Sequence, residues 1–378
     1  MLRSIVTFLA ICFACSAMWV YWMFTPSPIT PNMYPPAPAM PRSGSLEPNV
    51  DLISARAAFH VPSGCIAVAS STSEMKGLFT GCNDGSVGLW RGGTWELLTV
   101  IKADQGLITS LLLSPDEKKL YIGHSMFGVL QLPLTGPKNV ATRLPVFIRE
   151  RPLSFVSALA FSTDKKTLLI AEGSDTFEGS QNGAYYDIME ARPHGSICAV
   201  QEDKLANNHR SICKVIASKL YLPTSMLMLP DNKLLVAELP RYRVICVHLS
   251  TKMAETNRTS WLSNLHAFPF DVVYSSNHKS VMVSLIHERT SFIDFLHNHP
   301  VLKYFFFKLH PVFNAPPSLA RWGMLLRCTL SGSVLESHGD EEGRFVAAPG
   351  RVAVDADGIW IASALDGVRN WNKNVVAA

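Results

Sequence analysis

The sequence predicts an all-β chain, a six-bladed β-propeller with a helical insertion, preceded by an N-terminal transmembrane helix. Three observations lead there. A two-part pattern recurs six times: an apolar strand opened by a polar turn, then a second, alternating strand. Strong helix patterns are few, while 24 prolines and 23 glycines supply turns along the chain. Residues 5–24 carry no charge, and about 20 apolar residues is the length of a helix that spans a bilayer.

Residues 1–4 form a short cytosolic tail. Arg3 precedes the apolar stretch and no Lys or Arg follows until Arg42. That asymmetry places the N-terminus in the cytosol and the rest of the chain in the lumen or outside. Trp19, Tyr21 and Trp22 then fall at the far interface. A cleaved signal peptide is the alternative, because residues 14–17 are small. The expected product is a single-pass type II membrane protein of the secretory pathway, in the endoplasmic reticulum or plasma membrane, with its propeller luminal or extracellular. Asn257-Arg-Thr259 is then a usable glycosylation sequon at Asn257.

Residues 25–48 hold Pro26, Pro28, Pro31, Pro35, Pro36, Pro38, Pro41 and Pro48, which predicts a semi-rigid extended spacer. The propeller is expected over 49–378. Its six copies open at 78–81, 120–123, 168–171, 234–237, 281–284 and 359–362. Polar turns precede several of them, at Ser114-Pro-Asp116, Ser162-Thr-Asp164 and Pro230-Asp-Asn232. The shorter intervals match one four-stranded blade. The longer ones need insertions, at 173–221 (polar and loop-like) and 290–326 (helical, with Pro300 suited to a first helical turn).

With 48% hydrophobic residues the chain can bury a large core. A net charge of +4 without a basic cluster gives no electrostatic footprint for nucleic acid. Cys12 and Cys15 lie inside the apolar helix, whereas Cys65, Cys82, Cys198, Cys213, Cys246 and Cys328 face an oxidising lumen. The sequence leaves their pairing open. No Gly-x-Ser-x-Gly, Walker, Gly-x-Gly-x-x-Gly or His-Glu-x-x-His motif occurs, and His297 with His299 is a weak metal pair.

Four segments together resemble the strictosidine synthase-like family, most closely its membrane-anchored branch typified by adipocyte plasma membrane-associated protein. They are 120–130, the insertion through Asp187 to 192–198, the pair 234–238 with 243–245, and 291–309. The resemblance covers roughly residues 55–370 and implies a six-bladed propeller. It also implies that metal-binding relatives hold calcium in the central channel, where an ester or lactone carbonyl is polarised. Matched by eye, the family's metal-ligand positions fall at Gly64, at Ser157 beside Ala158, at Thr224, and at Phe270 with Asp271. Only Asp271 is a carboxylate, so calcium, the one cofactor implied, meets mostly substituted positions. The acid of the synthase reaction falls between Ala348 and Arg351, where no acid stands; Glu341, Glu342 and Asp355 are the nearest. Glu172, Glu238 and Arg243 read as strand-end pairs.

The channel candidates are Asp271, Thr224, Ser157 and His124, with Asp271 the single weak metal ligand. The expected function is a membrane-anchored propeller with a degenerate metal site that binds a small molecule or a luminal protein. An arylesterase or lactonase-type hydrolase working through Asp271, Thr224 and backbone oxygens is the alternative.

Overall fold

The computed structural model describes residues 2–58, 60–71, 77–102, 106–135, 140–205, 210–313, 320–356 and 358–371, without the side chains of 2–5, 18, 22, 23, 181 and 310–313. Six blades are formed among the described residues, antiparallel except where the short strand Val146–Ile148 pairs parallel with Ser211–Leu220 in blade 3. Their innermost strands are Cys65–Ser70, Ile108–Leu113, Val156–Phe161, Pro223–Leu229, Ala267–Ser275 and Pro349–Asp355, for blades 1 to 6 in that order. The second strand of each is the apolar run that marks the repeat, such as Thr167–Glu172, in which every residue is buried. Such strands are covered on both faces by neighbouring blades and so carry no polar alternation.

The polar turns recur as one device. Ser114 Oγ donates to Asp116 Oδ1 at 2.6 Å and accepts from Lys119 N at 3.0 Å. Ser162 repeats this with Asp164 at 2.5 Å and Thr167 N at 3.1 Å. These hydrogen bonds hold the carboxyls of Asp116 and Asp164 below the usual range. The ring closes through the strand Arg56–Ala57, which pairs antiparallel with Gly367–Trp371 and completes blade 6 from the other end of the chain.

The helices of the described residues are α1 (Leu2–Phe24), α2 (Gln181–Glu190), α3 (Glu202–Leu205), α4 (Ser291–Asn298) and α5 (Pro300–Phe313). α1 covers the stretch expected to span a membrane, yet among the described residues no helix is long and apolar enough to cross one. The 173–221 stretch holds α2 as well as two blade 3 strands, Gly195–Gln201 and Ser211–Leu220. The helical reading of 290–326 matches α4 and α5, and the stretch ends inside Gly323–Cys328, the third strand of blade 5. Cys65 bonds to Cys82 across adjacent strands, and Cys198 to Cys213, while Cys246 and Cys328 are buried and free.

The Pro-rich stretch does not stand clear of the propeller. Ile29 is 2% exposed and packs with Met189, Leu296 and Phe307. Farther on, Met40 N donates to Asn264 O, and Arg289 Nη2 donates to Ala37 O. Tyr34 lies under the Arg241 guanidinium, 3.7 Å from ring centroid to Cζ. Prolines fix the strap in an extended form, and the apolar residues between them supply the anchorage. Ile29→Ala therefore lowers the stability of the propeller by about 2–4 kcal/mol, measured by denaturant unfolding; a free spacer would show no change.

Candidate functional site

Each innermost strand breaks register near its start. The residues that drop out of the ladder are Ile66, Thr109, Ser157, Thr224 and Phe270 in blades 1 to 5, and Gly350 with Arg351 in blade 6. A bulge re-aims the side chain and carbonyl of the extra residue. Repeated around the ring, it brings backbone oxygens together at the axis.

Arg351 fills that convergence. Its side chain is buried and reaches four blades. Nη1 donates to Asp271 Oδ1 at 2.7 Å, Nη2 to Ser157 O at 2.6 Å and Thr224 O at 2.5 Å, and Nε to Thr109 O at 3.0 Å. The guanidinium carbon lies 5.4 Å from the Phe270 ring centroid. Asp271 is also fully engaged: Oδ1 accepts from Ser225 Oγ at 2.6 Å and Oδ2 from Val352 N at 2.8 Å. A buried charge is tolerable only when paired and hydrogen-bonded in this way.

The Ser157 and Thr224 hydroxyls, expected near the axis, turn sideways instead, as do those of Thr109 and Ser284. Thr109 Oγ1 donates to Val156 O, Ser157 Oγ to Pro223 O, Thr224 Oγ1 to Pro269 O, and Ser284 Oγ to Gly350 O. Each bond runs from one blade to the innermost strand of the next. The structure thus brings Ser157, Thr224 and Asp271 together, the first two through their carbonyls. Calcium takes six to eight oxygens, several of them carboxylate. Here one carboxylate is present, and it and three carbonyls already accept from a fixed cation, so this donor set does not fit calcium.

His124 serves a turn. Its Nδ1 accepts from Met126 N and Phe127 N, both at 3.1 Å, and the ring stacks on Phe127. Burial lowers its pKa to about 4, so it is neutral at physiological pH. Glu341 accepts from Arg42 and Trp322, Glu342 pairs with Arg344, and Asp355 accepts from Trp360 Nε1 at 2.7 Å. Arg151 grips Glu172 through two 2.6 Å bonds, and Arg243 Nε donates to Glu238 at 2.6 Å. Asn257 is exposed on the outer strand Glu255–Leu262 of blade 4.

A second polar group, on α2, was not legible as a site. Both carboxylate oxygens of Asp187 are buried with no close hydrogen bond among the described residues, the Ser174 hydroxyl lying nearby, and burial pushes its pKa up to about 7. The Ser174 hydroxyl and the charge of His194 oppose that rise only in part. His194 sits 2.9 Å from Thr176 Oγ1 and 3.4 Å from Glu190 Oε1. Glu190 Oε2 in turn accepts from Thr30 N of the strap at 3.1 Å. Surface space lies away from the axis: a cleft of about 250 Å³ between blades 5 and 6 is lined by His278, Arg327, Glu336, His338 and Trp371, among others.

No protein-family model and no curated protein matches the sequence. Solved structures do match the fold. A gluconolactonase from Xanthomonas campestris is 12% identical, with a TM-score of 0.57 over 92% of this chain and 96% of its own. A calcium-binding protein, regucalcin, from Agrobacterium tumefaciens is 11% identical, with a TM-score of 0.53 over 86% and 89%. A luciferin-regenerating enzyme is 9% identical, with a TM-score of 0.53 over 82% and 91%. At these identities the likeness establishes the six-bladed propeller fold of gluconolactonase and regucalcin-type proteins.

Two outcomes follow. Arg351→Ala and Asp271→Ala each cost about 3–5 kcal/mol, because each strands the other's buried charge. The double variant costs clearly less than the sum, as a double-mutant cycle in denaturant will read. Asp187 holds a proton in the folded state between its unfolded pKa, near 4, and about 7. Its contribution to stability therefore falls as pH rises through that window. Asp187→Asn removes this dependence, so its melting temperature gains on the parent from pH 4 to 7 and levels off above.

Proposed function

We propose that this chain is a membrane-tethered, strictosidine synthase-like propeller that works as a binding module and not as a metal-dependent hydrolase. The observation that carries the reading is Arg351. Its guanidinium occupies the convergence of inner-strand carbonyls that metal-dependent relatives are expected to give to an ion. Four of its contacts use the Asp271 carboxylate and the Thr109, Ser157 and Thr224 carbonyls. The oxygens that would position calcium or a polarised carbonyl are spent on the protein's own cation, and the neighbouring hydroxyls on blade-to-blade bonds.

The tether reading is supported by the uncharged stretch 5–24 and by the exposure of Val6, Phe8, Leu9, Ile11, Phe13, Trp19, Val20 and Phe24 on several sides of α1. An α-helix that is apolar all round finds its partner in a membrane or a core. The absence of Lys and Arg between Arg3 and Arg42 favours a luminal propeller. Two disulfides among the described residues suit an oxidising compartment, and exposed Asn257 is open to glycosylation there. The ligand we assign is a small molecule or a luminal protein.

The test is thermal unfolding of the full chain with calcium in excess and with chelator, run beside a panel of esters and lactones. The expected result is an unchanged melting temperature and no metal-dependent turnover. A ligand at 100 times its dissociation constant adds about 2.7 kcal/mol to the native state, a shift of a few degrees for a domain of this size. Such a shift, with turnover that Asp271→Ala abolishes, would establish the lactonase-type alternative in place of this reading.

A further inference from the structure

The α4–α5 hairpin is built the wrong way round for water. Its exposed apolar side chains are Phe292, Phe295, Val301, Leu302, Phe305 and Phe306, with Val301 at 65% and Phe292 at 55%. Its two lysines point inward. Lys303 is wholly buried, with Nζ donating to Asn32 O of the strap at 3.1 Å and lying 3.1 Å from His297 Nδ1. Lys308 is 8% exposed, over the Tyr304 ring. The one acid, Asp294, is paired with Arg289 at 2.5 Å. The described part of the hairpin therefore exposes no lysine or arginine; its exposed polar residues are Ser291, Asn298 and His299, and the partly exposed Asp294 is held in its ion pair.

A soluble surface helix turns its lysines out and its phenylalanines in, since a buried ammonium costs free energy that an exposed one does not. A contiguous apolar face of this kind marks an interaction surface. Phenylalanine and leucine suit the boundary between headgroups and acyl chains.

The chain supplies the occupant. The inner side of the hairpin, Leu296 and Phe307, packs on Ile29 of the strap. Ile29 is five residues beyond Phe24, the end of α1, a reach of at most about 18 Å. We propose that the exposed face of α4–α5 inserts into the interfacial layer of the same bilayer that holds α1, as a second membrane contact that fixes how the propeller lies on the membrane. The geometry rests on the tether reading. Because the face exposes no lysine or arginine, a zwitterionic bilayer suffices.

The experiment uses the full chain in phosphatidylcholine vesicles, with Cys12→Ser and Cys15→Ser removing the exposed thiols; Cys246 and Cys328 are buried. Spin labels go singly on Leu302→Cys and Phe306→Cys. Phe13→Cys serves as the reference in α1, and Leu97→Cys, on the exposed outer strand Thr94–Val100 of blade 1, as the reference in water. Labels at 302 and 306 are expected to be open to oxygen and closed to a water-soluble nickel reagent. A nickel-accessible reading at both, like that at 97, overturns the proposal. So does closure to both reagents, which would mean that protein covers the face. The label at 13 is read separately: if it is open to nickel, the tether reading fails, whatever the hairpin does.

Discussion

Five of the six blades meet at one buried cation. The Arg351 guanidinium collects a carboxylate from blade 5 and carbonyls from blades 2, 3 and 4, while its own backbone belongs to blade 6. A propeller has no central core of side chains from a single sheet; its inner strands point backbone dipoles toward a narrow axis. Carbonyls gathered there need a positive partner. Arginine fits because its planar fork offers five donors in fixed directions and stays charged at any physiological pH. The bulges in the inner strands are the local device that permits it, and the hydroxyl bonds between successive blades hold the bulges in place.

The face that carries the strap shows the same economy with polar groups. Residues 25–48 give backbone groups to Glu190, Asn264, Arg289 and Lys303. Ile29 enters the cluster shared by α2, α4 and α5, while Leu46 and Met40 pack in a separate core cluster. A stretch with eight prolines loses little conformational entropy when it is laid down, because it was extended already. The strap, the hairpin and the α2 loop therefore form one layer over that end of the ring. Several buried polar atoms of this layer lack a hydrogen-bond partner among the described residues, Asp294 Oδ1 and His297 Nε2 among them, and burial raises the pKa of Asp187 there.

The blades were legible in the sequence because a strand buried on both faces must be apolar throughout, and Ser-Pro-Asp turns repeat ahead of such runs. Thr167–Glu172 and Lys233–Glu238 fall where the pattern places them. Ser211–Leu220 was harder to see, since as the fourth strand of its blade it mixes buried and exposed positions and carries Lys214 and Lys219. The strap was read as a spacer because proline content reports stiffness and says nothing of what lies alongside. Asp271, Ser157 and Thr224 do lie together at the axis, two of them through their carbonyls. The sequence could not show that two of them act through carbonyls, or that His124 caps a turn. Arg351 carried a signal that went unused: a single arginine in Pro349–Asp355, a strand otherwise fit for a core.

Charge balance explains why Asp271 is the carboxylate that the buried arginine uses. A divalent ion at the axis needs more than one carboxylate to be neutralised in a medium of low dielectric constant. A guanidinium needs one. With Arg351 in place, Asp271 alone balances the charge, and further acids at Ser157, Thr224 or Phe270 would be buried anions without partners. Neutral residues at those positions are then what the arginine requires. The hydroxyls gain a different use, since an uncharged Ser or Thr can bind the next blade's carbonyl while leaving its own carbonyl to the arginine.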